Sequence, residues 1–129
     1  MTSNVDLVRA TYEGAPENNV RHLAALFTPQ SQWTEAAGFP YAGTYIGPEA
    51  IKSNVFDRLS SEWIGYNAKA EYFVGDDSDV IVLGVYSGTY RTTGRHFEAR
   101  FAHHWKLSDG KLLSFEQYVD SRKVWQAIE

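Results

Sequence analysis

The chain of 129 residues contains no cysteine, which excludes a disulfide framework and a thiolate metal site and leaves packing alone to hold the fold. That usage fits the cytoplasm, the expected compartment. It also lacks any run of Lys or Arg, and its 12 basic against 16 acidic residues give a net charge of -4. Nucleic acid and anionic membrane are therefore excluded as expected partners. No stretch approaches the roughly 20 apolar residues needed to cross a bilayer, and the opening residues Met1 to Asp6 hold no apolar segment of signal length. What the sequence does hold is 43% apolar and 15% aromatic residues. One domain spanning residues 1–129, with a sizeable core and a small hydrophobic or aromatic molecule as its partner, is the expectation.

Helices come first and strands afterwards, with no linker or repeat between them, an order that predicts an α+β fold. Ser3 or Asn4 caps a first helix bearing Val5, Val8 and Tyr12, and Gly14-Ala15-Pro16 stops it. Asn18 or Asn19 opens a second helix whose Val20, Leu23, Ala24, Leu26 and Phe27 form a wide apolar stripe, ending near Thr28-Pro29. A short strand at Gln32 to Glu35 and a loop from Gly38 to Gly43 lead to Thr44-Tyr45-Ile46. Pro48 begins a third helix that buries Ile51, Val55, Phe56 and Leu59 and stops around Ser60-Ser61. Strands at Tyr66 to Gly75 and Val80 to Tyr90 follow, then a turn through Thr92-Thr93-Gly94-Arg95.

The last third carries the chemistry. Phe97, Ala99, Phe101, His103, Trp105 and Leu107 alternate with Glu98, Arg100, Ala102, His104 and Lys106, the period of a strand with unlike faces. After a turn at Ser108-Asp109-Gly110, pairing Leu107 with Leu112 sets Trp105 opposite Ser114, His103 opposite Glu116, Phe101 opposite Tyr118 and Ala99 opposite Asp120. On the other side, Gly84 is expected opposite His103, Tyr86 opposite Phe101 and Gly88 opposite Ala99, which leaves room beside the polar groups. Three helices over such a curved meander enclose a pocket of the kind that binds small molecules.

These features resemble a known family. The strand Trp33-Thr34-Glu35, the stretch Gly38 to Ala50, and Phe101-Ala102-His103-His104-Trp105 followed by Asp109-Gly110-Lys111 and Phe115 to Asp120 are similar to the SnoaL-like, ketosteroid-isomerase-like branch of the nuclear transport factor 2-like superfamily. The resemblance covers nearly the whole chain. It implies a cone-shaped curved antiparallel or mixed sheet against three N-terminal helices, a homodimer through the outer sheet face, and a cavity for proton-transfer chemistry or ligand binding. It also implies roles. Glu35 matches the isomerase carboxylate base, His103 stands at the oxyanion donor, and Asp120 resembles the late aspartate of SnoaL-like cyclases, with His103 or His104 as their histidine. Tyr12 falls about half a turn of helix from the isomerases' first-helix tyrosine.

The candidate catalytic residues are thus Glu35, His103 and Asp120, with Trp33, Tyr45, Phe56, Tyr86, Phe101, Glu116 and Tyr118 as candidate ligand-binding residues. Burial of Glu35 beside aromatic side chains raises its pKa toward that of a working base. His103, oriented by Glu116, then donates to a developing oxyanion, or Asp120 with Tyr118 shuttles the proton. Isomerisation, cyclisation or loss of water by such a site requires no cofactor and no metal, and His103 and His104 point to opposite faces and cannot share an ion. Each residue keeps a structural alternative: His103 as a paired core histidine, Glu35 as a solvated strand end, Asp120 as the N-cap of a final helix from Ser121 to Ile128. A non-catalytic pocket for an apolar metabolite and an interaction module are the alternatives for the whole chain. For the latter, Leu83, Val85, Ala102, His104, Phe115, Gln117 and Val119 are expected on an outer face suited to a second sheet.

Overall fold

A computed structural model describes residues 3–129. The chain forms α1 (Asn4–Arg9), α2 (Pro16–Leu26), β1 (Gln32–Glu35), β2 (Gly43–Ile46) and α3 (Pro48–Ile51). A π-helical turn over Lys52–Phe56 joins α3 to α4 (Asp57–Glu62). Then come β3 (Trp63–Gly75), β4 (Asp79–Tyr90), β5 (His96–Ser108), β6 (Lys111–Val119) and α5 (Ser121–Ile128). The fold is α+β, as the element order indicates, with a curved six-stranded sheet in the order β2-β1-β6-β5-β4-β3. Only β1 and β6 run parallel; the other neighbours are antiparallel. No helix of the described residues is long and apolar enough to cross a membrane.

Local chemistry accounts for the boundaries. The Ser3 hydroxyl accepts from the Asp6 N–H and starts α1. α2 begins at Pro16 rather than at Asn18 or Asn19, because proline is well suited to a first helical position and Asn19 instead closes the preceding turn through Gly14 and Tyr12. The third helix of the sequence reading continues through its π turn to Glu62, and β3 starts at Trp63, earlier than Tyr66. π turns of this kind insert one extra residue and re-aim side chains; here Val55 and Phe56 sit in it.

Two registers differ from those read in the sequence. Between β4 and β5 the turn is centred one residue earlier in the chain, with Tyr90 N–H bonded to the Arg95 carbonyl and Gly94 N–H to the Tyr90 carbonyl, so His103 pairs with Val82 and Phe101 with Gly84. This shift of two keeps every side chain on its expected face. Between β5 and β6, Leu107 pairs with Leu112 as expected but Lys106 pairs with Ser114, which makes Leu113 an extra, bulged residue. One inserted residue reverses the faces of all that follows. His103 is opposite Gln117, His104 opposite Glu116, and Phe101 opposite Val119. Phe115 and Gln117, expected outside, are buried, while Glu116 and Tyr118, expected inside, are exposed.

The core is largely aromatic. Trp33 stacks on Phe115 with ring centroids 3.6 Å apart, and Trp105, Phe27 and Phe56 meet Trp33 edge-on. On the outer face Tyr72, Val74, Leu83, Leu113 and Tyr118 remain exposed. At Gly84, on β4, backbone of β3 and a side chain of β5 stand where a Cβ would lie. A Cβ there meets the Lys69 carbonyl oxygen at 2.2 Å and Phe101 Cζ at 2.5 Å. Gly84→Ala is therefore expected to lose about 1 to 3 kcal/mol of stability by overpacking, read as a fall in Tm of several degrees in thermal denaturation; an unchanged Tm contradicts the close approach.

Candidate active site

Sheet curvature and the helices leave a cavity of about 240 Å³ bordered by the inner faces of β1, β3, β4, β5 and β6, α2, the π turn and the segment after α1. Its polar lining includes Tyr12, Glu35, Tyr66, Tyr86, His103 and Gln117, set among Trp33, Phe56, Trp105 and Phe115. Of the candidates from the sequence, Glu35, His103, Trp33, Phe56 and Tyr86 line this cavity. Phe101 lies behind it, stacked on His103 at 4.1 Å and on Tyr86 at 4.4 Å.

The other candidates lie elsewhere. Tyr45 donates its hydroxyl to the carbonyls of Tyr41 and Ala42 at 2.9 and 3.0 Å and so ties down the loop before β2. Glu116 and Tyr118 face outward because of the bulge at Leu113, and neither lines the cavity. Asp120 is exposed at the N-cap position of α5, where its side chain makes no capping hydrogen bond and its N–H donates to the Arg100 carbonyl. The expected meeting of Glu35, His103 and Asp120 is thus corrected to Glu35 and His103 alone. Glu116 does not orient His103 either.

His103 is clamped by two tyrosines. Nδ1 meets the Tyr12 hydroxyl at 2.5 Å and Nε2 meets the Tyr86 hydroxyl. Trp105 Nε1–H donates to the Tyr12 oxygen at 2.9 Å, and Gln117 Nε2–H donates to the Tyr86 oxygen at 2.9 Å. The Gln117 carbonyl in turn accepts from the Ala36 N–H at 3.1 Å. Burial without a negative partner lowers the His103 pKa to about 3, so the ring is neutral. Burial likewise raises the tyrosine hydroxyls of Tyr12, Tyr66 and Tyr86 well above their ordinary value. With both ring nitrogens occupied, His103 does not itself reach a ligand. Its neighbour His104 sits on the opposite face, where its Nε2 meets Asp79 at 2.6 Å.

Glu35 is the contrasting group. Only 4% exposed, its carboxyl has no hydrogen-bond partner among the described residues, and desolvation alone raises its pKa from 4.5 to about 8. Among the described residues the Tyr66 hydroxyl and Trp33 Nε1 are buried without a partner too.

Sequence reasoning missed Tyr12, Tyr66, Trp105 and Gln117 as members of the site. The resemblance set Tyr12 about half a turn from the isomerases' first-helix tyrosine, but α1 ends at Arg9. The Thr11 and Tyr12 N–H groups then bond to Val8 and Arg9, three residues back. That tighter winding, about three residues per turn, swings Tyr12 to the cavity. For Gln117 a signal existed: Phe115, Gln117 and Val119 form a less polar alternate set than Ser114, Glu116 and Tyr118, and the apolar set is the one to bury.

A sequence profile of the SnoaL-like domain matches residues 8–115. No curated protein matches the chain. Among solved structures, a nuclear transport factor 2-like protein of Burkholderia thailandensis E264 is 41% identical, with a TM-score of 0.93 over 100% of this chain and 99% of that one. TerC, co-crystallised with polyporic acid, is 22% identical with a TM-score of 0.83, the match covering 97% of each chain. A candidate SnoaL-like polyketide cyclase of Jannaschia sp. CCS1 is 18% identical with a TM-score of 0.80, covering 97% of this chain and 90% of the other. With that profile, the 41% identity over the full length and the same curved sheet, the chain belongs to the SnoaL-like family of nuclear transport factor 2-like proteins.

Proposed function

We propose that the cavity binds a small, mainly apolar molecule bearing a carbonyl-type oxygen and that Glu35 moves a proton on its carbon skeleton, as an isomerase, cyclase or hydrolyase does. The observation that carries this reading is the Glu35 carboxyl, buried at the cavity wall with no hydrogen-bond partner among the described residues and with a pKa of about 8. A buried carboxyl with no partner is costly to a fold, and one tuned near working pH suits general base catalysis. In the step proposed, the Glu35 carboxylate takes a proton from the carbon next to the carbonyl. The electron pair moves to the oxygen, and the resulting Glu35 acid returns the proton to another carbon. A tyrosine hydroxyl donates to the oxygen as its charge grows. The tyrosines keep their own protons throughout, since burial holds their pKa values high.

Relatives of the same fold support the ligand class: TerC was crystallised with polyporic acid, and the Jannaschia sp. CCS1 protein carries the name of a polyketide cyclase. The aromatic lining of Trp33, Phe56, Trp105 and Phe115 suits a flat apolar body. A cavity of about 240 Å³ suits a ligand of modest size.

A second reading concerns the outer face, where Tyr72, Val74, Leu83, Leu113 and Tyr118 are exposed. A second copy of the chain is its proposed occupant, because rows of exposed apolar side chains on a sheet favour a partner sheet. Sedimentation is expected to give a dimer at micromolar concentration, with Leu83→Lys shifting it toward monomer; a monomeric wild-type protein rejects this reading.

For the site itself, the test is exchange of the methyl protons of acetophenone in deuterium oxide. Glu35→Gln is expected to lower any protein-catalysed rate by about 100-fold or more. The wild-type rate rises with pH and levels off above about 8, where Glu35 is ionised. Exchange that survives unchanged in Glu35→Gln excludes Glu35 as the base.

The same pKa has a consequence for stability. Unfolding releases the Glu35 proton at a lower pH than the folded protein does, so between 4.5 and about 8 the folded state binds more protons and stability falls as pH rises. Glu35→Gln should match the wild type near the acid end of this window and exceed it above the window by on the order of a few kcal/mol. Urea denaturation of both proteins across this range measures the difference, and a constant difference at all pH values contradicts the raised pKa.

A further inference from the structure

The chain Tyr12–His103–Tyr86 contains one hydrogen more than its own bonds can use. Its two contacts, Tyr12 to Nδ1 and Tyr86 to Nε2, employ one hydrogen each. A neutral imidazole supplies one hydrogen and the two phenols supply two, three in all. The ring is neutral on geometry alone, since it is buried, each nitrogen faces a hydroxyl, and no carboxylate is hydrogen-bonded to it. The flanking groups cannot absorb the surplus. Trp105 donates to Tyr12, Gln117 donates to Tyr86, and the amide of Gln117 is fixed in that sense because its carbonyl accepts from Ala36. Neither hydroxyl has a further acceptor among the described residues, and both tyrosines line the cavity.

We propose that this surplus phenolic hydrogen is the docking point for an acceptor oxygen of the ligand, and that the tautomer of His103 selects which tyrosine presents it. When Nδ1 carries the hydrogen, it donates to Tyr12, Tyr86 donates to Nε2, and the Tyr12 O–H turns to the cavity. When Nε2 carries it, the roles exchange and the Tyr86 O–H turns inward. Tyr86 is the tyrosine tied to the Glu35 end of the cavity, since the Gln117 amide that donates to it accepts from the N–H of Ala36, the residue after Glu35. A ligand with its oxygen on the Glu35 side therefore selects the Nε2–H tautomer. His103 acts here as a positioning residue that never touches the ligand. The class selected is a neutral acceptor such as a ketone or ester carbonyl, against a body of the same shape whose only polar atoms donate.

This inference rests on the reading that the cavity takes an oxygen-bearing molecule, and its test is separate from turnover. Acetophenone and α-methylstyrene have nearly the same shape, and only the first carries an acceptor. Acetophenone is expected to bind about threefold to tenfold tighter, the worth of one neutral hydrogen bond. Nitrogen NMR of histidine-labelled protein should find one hydrogen on the His103 ring in the free protein. The acetophenone complex should hold a single tautomer, and α-methylstyrene should leave the ratio of the free protein unchanged. A doubly protonated His103 at neutral pH, equal affinity for the two probes, a mixture of tautomers in the saturated acetophenone complex, or no saturable binding of acetophenone overturns it. Glu35→Gln separates the two ideas. If that variant keeps the preference for acetophenone while neither it nor the wild type catalyses exchange, the base assignment fails and the docking inference stands.

Discussion

The arrangement of the site depends on one constraint, that a neutral imidazole buried in an aromatic core must have both nitrogens satisfied. His103 on β5 meets this through Tyr12, from the segment after α1, and Tyr86 on β4. Those two oxygens are in turn held by Trp105 on β5 and Gln117 on β6, and Gln117 reaches back to the residue following β1. In an apolar interior each unmet polar group costs about 1 to 3 kcal/mol, so the chain of bonds favours the registers that close it. The bulge at Leu113 is part of this closure. Without it the inward residue opposite His103 is Glu116, a carboxylate in a place where an amide can both donate to Tyr86 and accept from Ala36.

Against that satisfied network stands Glu35, in the same cavity and without a partner among the described residues. The same low dielectric that strengthens the tyrosine bonds holds this carboxyl protonated near neutral pH. The fold carries the cost of an acid unpaired among the described residues on a cavity wall, and perturbed carboxyls of this kind cluster at functional sites. Solvating Glu35 or giving it a protein donor would stabilise its ionised form and return its pKa toward the ordinary range, removing the tuning along with the strain.

Much of this was legible in the chain itself. The order of helices and strands, the β1 boundaries and the alternation from Phe97 to Leu107 follow from periodicity and turn chemistry, and the β5–β6 turn closes through Asp109 and Gly110, both with positive φ. Glu35, His103, Trp33, Phe56 and Tyr86 could be picked out because polar or aromatic residues fell on faces otherwise apolar. What was hidden depends on a single-residue irregularity. The adjacent Leu112 and Leu113 conceal which begins the inward set, so Glu116 and Tyr118 were read as inside and Phe115 and Gln117 as outside. Tyr12 was set on the apolar side of α1 with Val5 and Val8 but not in the site, because its place differs by about half a turn from the isomerases' tyrosine; here the turn after Arg9 tightens. Asp120 was read correctly in its position before α5, but its side chain faces solvent.

The distribution of acidities divides the labour in the cavity. The imidazole, with a pKa near 3, does not accept a proton in the ordinary pH range, and the buried phenols, raised well above their usual value, do not release one. Glu35, at about 8, is the lining group poised between its two forms. In the proposed function proton transfer falls to Glu35, and the tyrosines serve as fixed dipoles that favour negative charge on an oxygen without giving up their hydrogens. His103 sets the direction of those dipoles. Its neutrality is what makes the proposed division work: a charged ring would donate from both nitrogens, turn both phenols outward and add a buried cation to the cavity that Glu35 lines. A positive charge there would stabilise the ionised carboxylate and pull the Glu35 pKa down, so the two perturbed values are parts of one device and arise from the same exclusion of water.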